Sequence, residues 1–366
     1  MNNLDEKNVT DDKSNRRNKN VWKTMVFLII ILVAVFAIVW YFYLSNSKLL
    51  SSKQGVSGKN MCAGVNIVFF PGGNAADSFA SVVYNGAKAA ETDLGATVTY
   101  VWSDWDSNKM VSQFMDAISQ TPDAIAVMGH PGSAALGPLI DEAERKNIIV
   151  TSQNVDLTDI RTKYASAGFG YVGQSLYDSG LAVANALIRK YSLNEKNEAI
   201  VFGVDPILEP SRYQRTKGEV DGLNAGKLIV HEVAMSPEVE KDPSALPAQN
   251  MISEAINKYP NAKVIIADHG QLTASISTIL KNLDKKPGEF MIAGFDLSPN
   301  TVAGIKNGYL GLVLDQQPYL QGYLPILQAC LTKKYGFAGL YINTGVGLID
   351  STNVDLVARL TEQKIR

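Results

Sequence analysis

The sequence predicts an α/β protein of two similar lobes, each on a mostly parallel β-sheet, preceded by one membrane-spanning helix. Three observations predict it. From residue 64 onward short apolar runs alternate with longer amphipathic stretches, which is the pattern of βαβ units. The apolar runs are rich in Val, Ile and Ala and do not alternate cleanly with polar residues, as expected of strands covered on both faces. Near the N-terminus, Met25 to Leu44 are 20 residues without a charge. As a helix this length covers about 30 Å, the hydrocarbon thickness of a bilayer.

The flanks of that segment orient it. Arg16, Arg17, Lys19 and Lys23 precede it, and Lys48 and Lys53 follow. Trp22 stands before it and Trp40, Tyr41 and Tyr43 close it, as interfacial aromatics do. The positive-inside rule then leaves residues 1–24 as a cytoplasmic tail and exports the rest. A cleaved signal peptide has an apolar core of about 7–15 residues and a small-residue cleavage site. Here the core is longer and Val39–Leu44 is bulky. Cys62 follows Met61 and lies too far downstream for a lipoprotein signal. The expectation is an uncleaved anchor at 25–44 and a linker at 45–63, where Ser, Lys, Gly and Gln cannot form a core.

The exported part reads in order as follows. Val65–Phe70 is a strand, Phe79–Leu94 a helix, Ala96–Trp102 a strand and Lys109–Gln120 a helix. Ala124–Met128 is a strand, Ala134–Arg145 a helix, and Ile148–Ser152 and Phe169–Val172 are strands. The alternation then repeats. Leu176–Lys190 is a helix, Ala199–Gly203 a strand, Tyr213–Ala225 a helix and Leu228–Val233 a strand. Met251–Lys258, Val264–Asp268, Thr273–Leu283, Phe290–Phe295 and Val302–Asn307 continue it. Leu312–Asp315 is the last strand, and a helix follows at Tyr319–Lys333. Near ten strands exceed one ordinary sheet of five or six, so the chain is read as two lobes.

Composition narrows the function. Hydrophobic residues make up 46% and the formal charge is −2, and no long basic run lies beyond residue 24, so a nucleic-acid partner is not expected. Cys62 and Cys330 are the two cysteines, in no zinc-like spacing. They are read as buried apolar residues, with their pairing left open because sequence does not show their separation. No metal, cofactor or catalytic motif is visible, and the acidic pairs lack any glycosidase pattern, so the chain is not read as an enzyme.

Ligands of open parallel sheets bind beyond the carboxyl ends of the strands. The residues there are Asp77 and Phe79 after the first strand, then Trp102, Trp105 and Asp106 after the second. His130 and Ser133 follow the third strand and Asn154 the fourth. In the second half they are Arg215, Asp268-His269, Asp296 and Gln316-Gln317. Asp77, Asp106, Ser133 and Asp296 each also suit a helix N-cap, and Phe79, Trp102 and Trp105 also suit a core. Collectively, carboxylates, amides, an arginine and aromatics at one edge are what a sugar needs: partners for hydroxyls and flat apolar faces for its C–H surface.

At residues 64–350 the chain resembles the type I periplasmic sugar-binding proteins of ABC transporters, the ribose/galactose-binding group. The pieces that carry the likeness are Ile292-Ala-Gly-Phe-Asp296 and the run Leu314-Asp-Gln-Gln-Pro-Tyr-Leu-Gln-Gly-Tyr-Leu-Pro325. Asp77-Ser-Phe79 with Asn85-Gly-Ala87, Tyr171-Val-Gly-Gln174 and Arg215-Thr-Lys-Gly218 support it. The resemblance implies two Rossmann-like lobes joined by a three-strand hinge, with 64–173 and 317–345 in lobe 1 and 174–316 and 346–366 in lobe 2. It implies that Phe79 stacks on a sugar, Arg215 donates, Asp296 accepts and Gln316 contributes near the hinge. Asp77, Asn154 and His269 are further ligand positions; Trp102, from its place at a strand end rather than from the resemblance, is also read as a ligand residue. Asn154 and His269 depart from the residues usual in ribose binders, so a generic sugar is expected rather than a named one. The expected partner is an ABC permease, or alternatively a membrane histidine kinase or chemoreceptor that senses ligand occupancy.

Overall fold

The computed structural model describes residues 35–38, 40, 60–236, 238–239, 242 and 246–366. Most of the segment read as a membrane anchor lies outside the described residues, as do residues 1–34. Residues 35–38 and Trp40 are helical, and Val35, Phe36, Ile38 and Trp40 are exposed. Among the described residues no helix is long and apolar enough to cross a membrane.

The first sheet gathers β1 (Asn66–Gly72), β2 (Thr97–Trp102), β3 (Ala124–Met128), β4 (Ile149–Gln153), β5 (Gly170–Gly173) and β11 (Tyr341–Asn343) in the order β11-β5-β4-β3-β1-β2. Every pairing in it is parallel. Its connections run through α1 (Ser78–Leu94), α2 (Ser107–Ser119), α3 (Gly132–Arg145) and the short α4 (Thr158–Tyr164).

The second sheet holds β6 (Glu198–Gly203), β7 (Ile229–Ala234), β8 (Ala262–Ala267), β9 (Met291–Phe295), β10 (Leu312–Asp315) and β12 (Gly347–Asp350) in the order β12-β10-β9-β8-β6-β7. Only the β10–β12 pair among these is antiparallel. Around it lie α5 (Leu176–Tyr191), α6 (Tyr213–Ala225), α7 (Leu246–Lys258), α8 (Gly270–Asn282), α9 (Pro299–Lys306) and α11 (Val354–Glu362). α10 (Pro318–Tyr335) returns to pack on the first sheet's lobe, against α1, β4 and β5.

The chain therefore passes between lobes at Gln174-Ser175, at Gln316-Gln317 and at 344–346. Strands covered on both faces explain the continuous apolar runs. In lobe 2 one core, with Ile265, Ile276 and Ile305, fills one face of the sheet, and another, with Val183, Leu187, Val264 and Phe295, fills the other.

Element boundaries moved by a few residues, and four elements escaped the sequence reading: β11, β12, α4 and α11. β11 reads Tyr-Ile-Asn, too short for a period-2 signal to emerge. Among the described residues there are 12 strands, where the sequence suggested near ten. The pairing of the cysteines, left open by the sequence, is decided by the structure. Cys62, just before β1, and Cys330, in α10, are disulfide-bonded across 268 residues with Cα atoms 5.5 Å apart. Both are buried, as expected of apolar residues.

Candidate functional site

On lobe 1 the β1–α1 turn and the β2–α2 turn meet. Asp77 caps α1, its Oδ1 accepting from the Ala80 N–H at 2.7 Å. Its other oxygen, Oδ2, accepts from Trp105 Nε1 at 3.1 Å. The Trp105 ring lies 6.0 Å from that of Phe79 and 5.0 Å from His130. Gly72 and Gly73 make room for it: a Cβ on either would fall 2.4–2.5 Å from the indole. Trp102 does not join this cluster. Its ring sits 5.4 Å from Tyr84 of α1, because Tyr100 and Trp102 share one face of β2 and both meet that helix. Asp106 caps α2 through the Lys109 N–H, while Ser133 lies inside α3 and donates to Asp159.

On lobe 2 the site is a buried ion cluster. Arg215, 2% exposed, donates from Nε to Asp268 Oδ1 and from Nη2 to the Asp268 carbonyl at 2.8 Å, with its guanidinium 3.9 Å from the Phe295 ring centre. Arg212 donates to the same carbonyl at 2.9 Å, and Thr216 to Asp268 Oδ2. Gly180 and Gly218 let α5 and α6 approach closely enough to bury Arg215; a Cβ on Gly180 would lie 2.1 Å from the Arg215 carbonyl oxygen. Burial alone would push the Asp268 carboxyl up, but the guanidiniums of Arg215 and Arg212 hold it below the usual range. Glu219 is fully buried, and neither of its oxygens accepts from an N–H or O–H. Burial and the charge of Asp268 push it well above the carboxylate range, so it keeps its proton.

His269 caps α8, its Nδ1 accepting from the Gln271 N–H at 3.2 Å. Burial, with Arg212 and Arg215 nearby, lowers both His269 and His130 to about 3, so both are neutral imidazoles. His130 Nδ1 is buried and has no partner. Asp296 is not a helix cap; Ser298 caps α9 instead, through the Thr301 N–H. Its backbone is left-handed, φ 66°, a conformation Asp and Asn tolerate better than other non-glycine residues. Its side chain lies over Gly270, where a Cβ would be 2.3 Å from Oδ2. Burial raises its pKa to about 6 against the pull of Arg215 and of Gln316.

Amides join the crossings. Gln316 donates from Nε2 to Asp296 Oδ1 at 2.7 Å. Its Oε1 accepts from Asn154 at 3.2 Å, Gln174 at 3.2 Å and Gln321 at 3.1 Å. Gln317 donates to the Thr344 carbonyl at 2.7 Å. All three crossing segments are thus tied together beside Asp296. Asn154, also left-handed at φ 67°, belongs to this network.

Seven of the eight residues singled out from the sequence are therefore linked, directly or through one neighbour, into one set of contacts that spans both lobes, and Trp102 packs on Tyr84 instead. Trp105, His130, Arg212, Asp268 and Gln271 belong there too. Trp105 had a readable signal: a glycine pair after the neighbouring strand, which only a bulky residue needs. Asp268 lies at a strand's carboxyl end next to His269, but its burial beneath two arginines is not written locally.

Residues 67–332 match the family model described as a periplasmic binding protein domain. A xylose/arabinose-binding protein of Sulfolobus acidocaldarius is 28% identical over 265 residues, 68% of this chain. The chain spans 62% of that relative's length. A solved carbohydrate transporter structure from Acidothermus cellulolyticus, in complex with myo-inositol, is 25% identical with a TM-score of 0.69, over 82% of this chain and 99% of that one. A glucose-galactose binding protein from Geobacillus stearothermophilus shares the fold, at 20% identity and a TM-score of 0.68 over 79% of this chain and 98% of its own.

Proposed function

We propose, because this chain belongs to the periplasmic binding protein domain family, that it captures a monosaccharide or similar polyol between its lobes for an ABC transporter. The observation that carries this is the interlobe cluster. Phe79 and Trp105 offer flat apolar faces, and Arg215, Asp296 and Gln316 offer converging polar groups. The ligand is uncharged. The guanidiniums of Arg212 and Arg215 are matched by the carboxyls of Asp268 and Asp296, leaving no positive surplus for a phosphate or carboxylate. Xylose, arabinose, glucose, galactose and inositol, named for the similar proteins, are of this class. In this role Phe79 and Trp105 stack, Arg215 donates through the N–H groups not bonded to Asp268, and Asp296 accepts. His269 and His130 offer neutral nitrogens, and Asn154 and Gln316 hold the hinge wall.

The test is a thermal-shift screen of the purified full chain against pentoses, hexoses and inositols. A ligand at 100 times its dissociation constant should add about 2.7 kcal/mol of stability; no shift with any of them would end the sugar reading. Asp296 supplies a pH signature. Its raised folded-state pKa means that the fold binds the proton before the unfolded chain does. The group therefore destabilises the unliganded fold above about pH 6, and this cost fades as the pH falls toward 4. Affinity runs the other way, because a sugar hydroxyl donates to the carboxylate. It should fall about tenfold per pH unit below 6. Asp296→Asn should bind at least tenfold more weakly at pH 7 and lose that pH dependence; a variant that binds like the parent removes Asp296 from the ligand shell.

The domain is placed on the extracytoplasmic side, tethered by residues 25–44. Support comes from the exposed apolar side chains of helical residues 35–38 and 40. The Cys62–Cys330 bond adds to it, since such bonds persist in oxidising compartments. Protease added outside intact cells should remove the binding domain and leave the N-terminus protected. A soluble chain beginning near residue 45 in the medium would mean that the segment is cleaved.

A further inference from the structure

The lobes are bonded directly to each other outside the crossing segments. Gln271, in the first turn of α8 on lobe 2, donates from Nε2 to Asp77 Oδ2 on lobe 1 at 3.0 Å. Both partners are held in place. Oδ1 of Asp77 caps α1 and Oδ2 also takes the Trp105 indole N–H, so the carboxylate cannot rotate without losing two bonds within its own lobe. The Gln271 backbone is anchored by the imidazole of His269. Nearby the lips approach again, where a Cβ built on Gly132 of lobe 1 would lie 3.6 Å from Ser211 Oγ of lobe 2. The hinge amides around Gln316 tie the crossing segments through other residues, so the Gln271–Asp77 bond is a separate tie between the lobes.

We infer that Gln271 and Asp77 form a latch that stabilises the closed arrangement of the lobes and thereby sets ligand affinity. Asp77 is a positioning residue in this role, not a sugar acceptor. Three N–H donors already occupy a carboxylate that offers about four lone-pair directions. The protein makes this bond to itself, so it favours closure whatever lies between the lobes. It has one ionised partner and is half-buried, and breaking it should change the closed-to-open ratio about tenfold. Where the closed form is the minor one, affinity falls by the same factor, since the apparent dissociation constant scales inversely with the competent fraction. The affinity consequence rests on the sugar-capture reading; the lobe geometry does not.

The experiment places one spin label on each lobe of the purified full chain and measures the interlobe distance distribution without added sugar, beside the melting temperature. Gln271→Ala should shift the population toward the longer distance. Gln271→Glu, which sets a second carboxylate against Asp77, should shift it further, and both should melt close to the parent. A D-arabinose titration should then show binding weakened for Gln271→Ala by the factor by which the closed fraction has fallen, up to about tenfold. An unchanged distance distribution in both variants overturns the latch. So does a shift that appears only with a lowered melting temperature, because the side chain would then be structural. If D-arabinose and the other sugars fail to bind at all, the capture reading fails while the distance measurement still decides the latch.

Discussion

Arg215→Ala should destabilise the binding domain by about 3–5 kcal/mol and abolish measurable sugar binding at concentrations that saturate the parent. The stability loss follows from where the guanidinium lies. It is almost fully buried and bonded twice to Asp268, a carboxylate with no exposure of its own. Removing it leaves Asp268 with Arg212, whose approach to Oδ1 is 3.5 Å, and with Thr216. It also opens a gap against Phe295. The buried acid Glu219 adds a second carboxyl to the same pocket, held neutral only while it keeps its proton. A simple surface donor would have been deleted at little cost; the resemblance implied only that Arg215 donates, and its burial with Asp268 adds the structural role. Arg215→Lys separates the two roles. It keeps a charge beside Asp268 but not the fork, so most of the stability should return while affinity stays at least tenfold down. Measured by urea unfolding and calorimetric titration, an Arg215→Ala protein as stable as the parent would remove the ion cluster from the account.

Reducing the Cys62–Cys330 bond, or replacing both residues by alanine, should cost about 2–5 kcal/mol. The bond closes a loop with a sequence separation of 268 that contains nearly all of both lobes. Cross-linking so long a segment removes many open conformations from the unfolded chain. Both sulfurs are buried, Cys62 ahead of β1 and Cys330 on the helix that packs against α1. The urea midpoint should fall by the same amount in reductant and in the alanine pair. If the reductant changes nothing, the two sulfurs are not bonded in solution, and support for an oxidising location goes with them.

Local chemistry carried much of the architecture. The amphipathic run Phe79–Leu94 announces a helix, and α1 spans Ser78–Leu94; that Asp77 caps it is one of two readings the sequence leaves open. Runs such as Ala124–Met128 and Leu312–Asp315 announce strands hidden on both faces, and they are fully buried. Where the signal was ambiguous, the fold decided. Asp106 is a cap, Ser133 and Asp296 are not; for Asp296 the Ser298-Pro299 pair just downstream marks where the cap lies.

By itself the sequence determined the two α/β lobes, the order of most of their elements and the strand ends where a ligand would be met. Hydrophobic period and turn chemistry are local properties, readable over windows of a few residues. The tertiary structure alone decided three things. It put Trp105 in the interlobe cluster and turned Trp102 onto Tyr84. It placed Asp268 and Glu219 beneath two arginines, and it bonded Cys62 to Cys330. Each of these depends on residues brought together from distant parts of the chain. Burial, which sets the charge of Glu219 and the pKa of Asp296, exists only once the lobes have formed.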